Sequence, residues 1–199
     1  MSVRIYVEGG GDNADTIKRC KAGFAMYCEK LVPANKRPRI VACGGRQQAF
    51  DRFNTAIQNS LSGEICVLLV DAEGQVTASA PIEHLRIRDN WNFPPLQNHR
   101  VFLMVQAMEA WFLADREVLA TFYDGGFVAN SLPGSPVNIE AIPKNDLEPK
   151  LKHASKQSKN KGEYHKTKHG FDLLGKIDPS KVEKASPHAA SFHKFLREL

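Results

Sequence analysis

A continuous apolar run, Ile65-Cys66-Val67-Leu68-Leu69-Val70, constrains the fold more than any other feature of this chain. A strand with one face in water alternates apolar and polar residues, whereas an unbroken run of this length is typical of a strand covered on both faces. The run stops at a polar turn, Asp71-Ala72-Glu73-Gly74. The sequence therefore predicts a central strand in a sheet that lies between two layers of helices.

Three further segments repeat an order of strand, turn and helix around this run. The predicted strands are Val3 to Val7, Arg39 to Ala42 and Val101 to Val105. The first ends at Glu8-Gly9-Gly10-Gly11-Asp12 and the second at Gly44-Gly45. Apolar residues at helical spacing follow these strands: Ile17, Cys20, Phe24, Tyr27, Cys28 and Leu31; then Phe50, Phe53, Ile57 and Leu61; then Met108, Trp111, Phe112 and Leu119. This alternation predicts a parallel α/β sheet with right-handed crossovers and helices on both faces.

The last third of the chain predicts a basic helical extension. At 199 residues the protein has the length of one domain, so we expect residues 126–199 to pack on a core formed by residues 1–125. Lys150 to Lys168 is rich in Lys, His and Ser, and this composition predicts a mobile basic loop after one short helix. Asp178-Pro179 and Ser186-Pro187 predict two helix starts, because each joins a capping residue to proline at the first helical position.

The distribution of charge along the chain indicates a polyanionic partner. Residues 1–140 carry 14 basic and 15 acidic side chains, whereas residues 141–199 carry 13 basic and 7 acidic side chains. Such an excess attracts nucleic acid, although a solvated lysine-rich surface explains it equally well. The chain has no apolar run near the roughly 18 residues of a membrane span, so we expect a cytoplasmic protein without a membrane partner.

Carboxylates follow two of the predicted strands at the edge where ligands bind in open parallel sheets. Glu8 and Asp12 flank the first loop, and Asp71 and Glu73 come directly after the apolar run. Residues two apart in an extended segment point the same way, so Asp71 and Glu73 are expected to share one side, with Glu8 opposite if their strands are neighbours. Carboxylates placed this close repel one another unless a cation lies between them. Oxygen ligands of this kind suit Mg²⁺ or Mn²⁺. Each residue alone is equally well a loop or capping residue.

Two further residues are candidates for this site. Glu109 begins a helix in an apolar stretch, where an unpaired buried carboxylate is costly. It therefore needs either a metal ion or a structural ion pair with a donor such as Arg116, and the sequence leaves both open. Arg46 follows Gly44-Gly45 at a helix start, where backbone N–H groups favour an anion. A tight turn with a surface arginine explains the same pattern.

These motifs resemble the Toprim domain, the catalytic module of topoisomerases, bacterial primases and OLD-family nucleases. Glu8 and Asp71-Ala72-Glu73 carry the resemblance, and Glu8-Gly9-Gly10-Gly11-Asp12 is similar to an element of the OLD branch. More closely, the chain resembles the bacterial family catalogued as domain of unknown function 4276. That pattern matches Val7-Glu8-Gly9-Gly10-Gly11, Ala42-Cys43-Gly44-Gly45-Arg46, Leu69-Val70-Asp71-Ala72-Glu73 and Met108-Glu109-Ala110-Trp111-Phe112. The Toprim similarity covers about the first 110 residues, and the closer one nearly the whole chain.

The resemblance implies a Toprim-like, Rossmannoid sheet and an Mg²⁺- or Mn²⁺-dependent nuclease. It implies Glu8, Asp71 and Glu73 as catalytic metal ligands, with Asp12 and Glu109 as further ligands. The usual Asp-x-Asp is here Asp-x-Glu, which bears on activity more than on metal binding. The basic side chains then hold DNA or RNA by its backbone, and the expected ones are Arg46, Lys150, Lys152, Lys166 and Lys168.

The same resemblance implies a partner ATPase encoded nearby and a role in phage defence. A non-catalytic module that binds an ATPase or nucleic acid is the alternative, because a fold does not decide a function. Nicking and rejoining would need a nucleophilic tyrosine, for which the four tyrosines offer no obvious candidate.

Overall fold

The structure is a computed structural model that describes residues 2–59, 63–94, 100–134 and 138–199. Its strands and helices, in chain order, are β1 (Ser2–Val7), α1 (Ala14–Glu29), β2 (Arg39–Ala42), α2 (Arg46–Asn59), β3 (Glu64–Asp71), α3 (Pro81–Asp89), β4 (Val101–Met104), α4 (Met108–Phe112), α5 (Arg116–Tyr123), α6 (Lys144–Ser155), a π-helical turn (Lys166–Gly170), α7 (Phe171–Leu174), α8 (Pro179–Ala185) and α9 (Pro187–Glu198). Short 3₁₀ turns span Ala34–Lys36, Ala129–Ser131 and Ile139–Ala141. Leu61, predicted in the second helix, and residues 95–99 of the segment before β4 lie outside the described residues.

The four strands form one parallel sheet in the order β2-β1-β3-β4. Val7 is paired with Ala42 on one side and with Leu69 on the other, and Asp71 is paired with Met104. The predicted parallel α/β fold is therefore confirmed. The carboxyl ends of β1 and β3 are neighbours at one edge of the sheet.

Alternate residues of the central strands enter two different cores. Val67 and Leu69 of β3 pack with α1 and with the helices from α4 onward, whereas Leu68 and Val70 pack with α2 and α3. All four residues are fully buried. Helices thus cover both faces of the sheet, as the unbroken apolar run predicts.

Helices α6 to α9 belong to the larger of the two cores. Leu151, Phe171 and Phe192 are buried in one cluster with residues of β1 and β3. Helix α7 lies so close to α1 that a Cβ atom on Gly23 would lie 2.4 Å from the carbonyl oxygen of Phe171. The C-terminal segment therefore packs directly on the helical layer beside the sheet.

Two expectations about the helices are wrong in detail. The predicted mobile loop from Lys150 to Lys168 begins inside α6, because Leu147, Leu151 and Ala154 bury one face of this helix. Pro143 is the N-cap of α6 and Pro149 lies in its interior, and neither prevents the helix from forming. The polar, proline-bearing stretch from Gln75 to Arg100 was expected to be a connection between β3 and β4 without a helix, but it contains α3. Asp178 and Ser186 do cap α8 and α9, as predicted, through bonds from the N–H groups of Ser180 and Ala189.

Among the described helices, none combines the length and apolar character that crossing a membrane requires.

Candidate metal centre

Three carboxylates converge where β1 and β3 end. Glu8, Asp71 and Glu73 each place one oxygen within 4.8 Å of the other two. The parallel pairing of β1 with β3 brings them together, because it sets Glu8 beside the residue pair that follows the apolar run. The sequence predicted this convergence if the two strands were neighbours, and the structure shows that they are.

A glycine loop holds Glu8 at this edge. Gly9 and Gly44 exchange two backbone hydrogen bonds of 2.9 Å, which join the loops after β1 and β2. Both have positive φ, 131° and 83°, which only glycine adopts readily. A Cβ on Gly9 would also lie 3.3 Å from Cys20 of α1. The loop therefore packs tightly against α1 and has little freedom to carry Glu8 away from Asp71.

Asp71 is the buried member of the cluster. Its Oδ1 accepts a 2.8 Å hydrogen bond from the backbone N–H of Met108, the first residue of α4. Burial, followed by repulsion from Glu109 and Glu8, raises the pKa of Asp71 to about 8. Burial likewise raises the pKa of Glu8, although Arg46 opposes the shift. This pocket thus favours positive charge beside the two carboxylates.

Glu73 lies at a turn with a positive φ of 67° and contacts two basic side chains. Lys144 donates to its Oε2, and Arg88 lies 3.4 Å from the same oxygen. Burial favours the neutral acid, but Lys144 outweighs it, and the pKa of Glu73 is lowered. Glu73 therefore stays ionised in the absence of a metal.

Arg46 contacts carboxylates, and four of the five N–H groups of its guanidinium have acceptors among the described residues. Its guanidinium donates to Glu8 at 3.2 Å, to both oxygens of Asp89 at 2.9 and 2.7 Å, and to the carbonyl of Asp71. It also lies 5.0 Å from the ring centre of Trp91. Arg46 thus begins α2, as predicted, while its side chain serves as a counter-ion to the cluster.

Glu109 lies beside the cluster in a buried position on α4. Its Oε1 accepts a hydrogen bond of 3.1 Å from the Tyr164 hydroxyl and lies 3.3 Å from the ammonium nitrogen of Lys166. The suggested partner Arg116 is wrong, because that guanidinium donates to the carbonyl of Pro133. The structure contains an ion pair at Glu109, formed with Lys166, and a metal at this residue stays a prediction.

The other predicted residues lie apart from the three converging carboxylates. Asp12 is exposed on the glycine loop, and Asn13, not Asp12, caps α1. Lys152 forms an ion pair of 2.8 Å with Glu148 on the surface of α6. Lys150 and Lys168 are exposed. Of the four lysines predicted to bind nucleic acid, Lys166 is the one that contacts the carboxylates at the sheet edge, Asp71 and Glu109.

Sequence reasoning missed four residues that complete the site. Asp89 and Arg88 end α3, a helix hidden in a stretch that was expected to be a connection. Proline at its first position and the spacing of Ile82 and Leu85 were the available signals. Lys144 and Tyr164 come from the C-terminal segment, and no pattern in the sequence joins them to carboxylates that lie 35 or more residues earlier.

Five carboxylates and four basic groups meet at this edge of the sheet. If all nine are ionised, the site has a net charge of −1. The acidic groups are Glu8, Asp71, Glu73, Asp89 and Glu109, and the basic groups are Arg46, Arg88, Lys144 and Lys166.

The donor set of Glu8, Asp71 and Glu73 fits Mg²⁺ or Mn²⁺. All three donors are hard oxygens, with neither the nitrogen nor the sulfur that structural zinc prefers. Ligands on opposite sides of one Mg²⁺ lie about 4.2 Å apart, so the 4.8 Å spread would contract by about 0.6 Å around one ion. Rotation of the partly exposed Glu8 and Glu73 side chains suffices for this contraction.

One comparison with known proteins identifies a family. The family described as Domain of unknown function (DUF4276) matches residues 7–197. No curated protein and no solved structure matches the chain. Since the match extends over nearly the whole sequence, from the end of β1 to the end of α9, this protein belongs to the DUF4276 family.

Proposed function

We propose that the protein is a nuclease that cleaves phosphodiester bonds of nucleic acid with Mg²⁺ or Mn²⁺. The observation that carries the proposal is the convergence of Glu8, Asp71 and Glu73 at the carboxyl edge of a parallel sheet, where such folds bind ligands. Burial of Asp71 among other carboxylates gives the cluster a strong preference for a cation. The resemblance to Toprim nucleases supports the same chemistry.

Each residue then has a distinct role. A bound divalent ion supplies Lewis acidity, which activates water and stabilises negative charge on the phosphate. Glu8, Asp71 and Glu73 would hold that ion, while the N–H of Met108 fixes the orientation of Asp71. Lys144 and Lys166 line a small cavity next to Glu109, where their ammonium groups face an entering phosphate.

The exposed lysines of the C-terminal segment provide the proposed contact with DNA or RNA. Lys150 and Lys168 are exposed on the part of the chain with the largest excess of basic residues. Contacts of this kind read the phosphate backbone, so binding should show little sequence preference and should weaken steeply with salt. We further propose a cytoplasmic location and an ATPase partner in phage defence, on the resemblance alone.

A plasmid-nicking assay tests the proposal. Purified protein is incubated with supercoiled plasmid and Mg²⁺ or Mn²⁺, beside Asp71→Asn and a matched surface control, Asp51→Asn. Asp51 is exposed on α2 and accepts a hydrogen bond through one oxygen that asparagine retains. We expect nicking by the wild type and by Asp51→Asn, and a loss of at least 100-fold in Asp71→Asn. Equal nicking by all three proteins would indicate a contaminating nuclease.

One observation favours the alternative of a non-catalytic module. Four basic side chains already offset the five carboxylates, so the cluster is nearly neutral without a metal. In such a module the network would stabilise the fold, and the basic surface would bind a partner ATPase or nucleic acid. Binding of DNA without nicking, in either metal and with the neighbouring ATPase added, would support this alternative.

A further inference from the structure

The ammonium group of Lys166 lies between two buried carboxylates that do not belong to the same element. Its nitrogen is 3.3 Å from Oε1 of Glu109 and 4.0 Å from Oδ2 of Asp71. The other oxygen of Asp71 is already bound by the N–H of Met108. The lysine therefore lies beside the Asp71 oxygen that Met108 leaves unbound.

A second metal ion of a nuclease would need this same position. In two-metal sites the ions lie about 3.5–4 Å apart and share a bridging carboxylate. If Glu8, Asp71 and Glu73 held a first ion, the buried pair Asp71 and Glu109 would be the carboxylates available to hold a second one. Lys166 already supplies a positive charge to these two residues.

We propose that Lys166 takes the place of a second ion, so that the centre binds one divalent cation. This inference rests on the proposed function and specifies the metal content of that site.

The charge of the whole site agrees with a single ion. The nine charged side chains carry an excess of one negative charge, so one divalent ion leaves an excess of one positive charge. That excess matches the single negative charge of one phosphodiester group. Two ions would leave three positive charges around one phosphate. Mutual repulsion in a pocket of low dielectric opposes that arrangement.

The surrounding structure holds Lys166 in this position. Lys166 begins the π-helical turn that leads directly into α7, and α7 packs against α1. Two residues earlier, the Tyr164 hydroxyl donates to the same oxygen of Glu109 that Lys166 contacts. About half of the lysine side chain, 47%, remains exposed, so the position is open to solvent on one side.

Titration with Mn²⁺ tests the inference without any measurement of activity. Isothermal titration calorimetry gives the number of bound ions, and electron paramagnetic resonance distinguishes isolated Mn²⁺ from a coupled pair. Wild type is compared with Lys166→Met and with the control Lys168→Met, which removes the same charge from an exposed position of the same turn. We expect one ion in wild type and in Lys168→Met, and a coupled pair in Lys166→Met.

A double variant, Glu109→Gln with Lys166→Met, provides a second check. It removes the Glu109 carboxylate together with the lysine that pairs with it, so the second position loses its ligand and one ion should bind again. Wild-type stoichiometry decides the question even if Lys166→Met does not fold. Two ions in wild type, or one ion in a folded Lys166→Met, would overturn the inference and leave the proposed function intact. No binding by wild type would overturn both.

Discussion

Replacing Asp71 by asparagine should stabilise the metal-free protein. Burial and the neighbouring Glu109 and Glu8 raise the pKa of Asp71 from 3.8 to about 8. A folded-state pKa above the unfolded value means that the unfolded chain releases its proton first, so stability falls as the pH rises from about 4 to 8. Over the roughly three units from pH 4 to pH 7, the loss is about 4 kcal/mol at 1.36 kcal/mol per unit. Asparagine mimics the protonated acid and still accepts the hydrogen bond from Met108, so it avoids this loss.

Urea unfolding at pH 4, 5.5, 7 and 8 measures this effect. The gain in the free energy of unfolding of Asp71→Asn over wild type should grow with pH. Relaxation around a buried charge reduces its cost, so about 2 kcal/mol at pH 7 is the smallest gain that the argument allows. The exposed control Asp51→Asn should stay within about 0.5 kcal/mol of wild type at every pH. A variant less stable than wild type at pH 8, or a difference independent of pH, would refute the reasoning.

Three other predictions concern different parts of the chain. Burial lowers the pKa of His193 from 6.5 to about 4, so its contribution to stability is complete above pH 6.5 and about 3 kcal/mol is lost as the pH falls to 4. The difference in the free energy of unfolding between wild type and His193→Gln should follow this slope in urea unfolding across that range, because the opposite slope from Asp71 is common to both proteins. Gly23→Ala should lower the free energy of unfolding by about 1–3 kcal/mol, because its Cβ would lie 2.4 Å from a carbonyl oxygen of α7, whereas Gly74→Ala, with open space around it, should change little. Replacing Lys150 and Lys168 together by alanine should weaken the salt dependence of DNA binding. The slope of the logarithm of the binding constant against the logarithm of the salt concentration should become shallower by roughly 1 to 2 units. An unchanged slope in fluorescence anisotropy titrations would exclude these lysines from the interface.

The sheet was predictable because hydrophobic periodicity is a local signal. The run from Ile65 to Val70 has no polar residue, and each of its neighbouring strands is followed by an apolar stripe at helical spacing. The one short helix predicted before the basic loop exists as α6, but its extension to Ser155 was not predictable in the same way, since Pro149 and the lysines that follow it indicate a loop. Burial of Leu147 and Leu151 against the rest of the core outweighs those local preferences.

The acidic half of the site was predictable and the basic half was not. Carboxylates at the ends of neighbouring parallel strands meet at one edge, so their chain positions predicted Glu8 beside Asp71 on the condition that β1 and β3 are neighbours, which the structure shows. Lys144 and Lys166 reach that edge only through the packing of α6 and α7 on the core, which depends on contacts between distant parts of the chain. Arg46 was noticed for its place at a helix start, but its partner Asp89 lies on α3, which carries no strong local signal.

The most direct test of the central claim is an anomalous-scattering map from crystals soaked in Mn²⁺. The account predicts one strong peak about 2.0–2.4 Å from carboxylate oxygens of Glu8, Asp71 and Glu73. Lys166 should remain beside Glu109 in that crystal. A map from Mn²⁺-saturated crystals with no peak at these oxygens, and with Arg46 and Lys144 still paired to Glu8 and Glu73, would contradict the account.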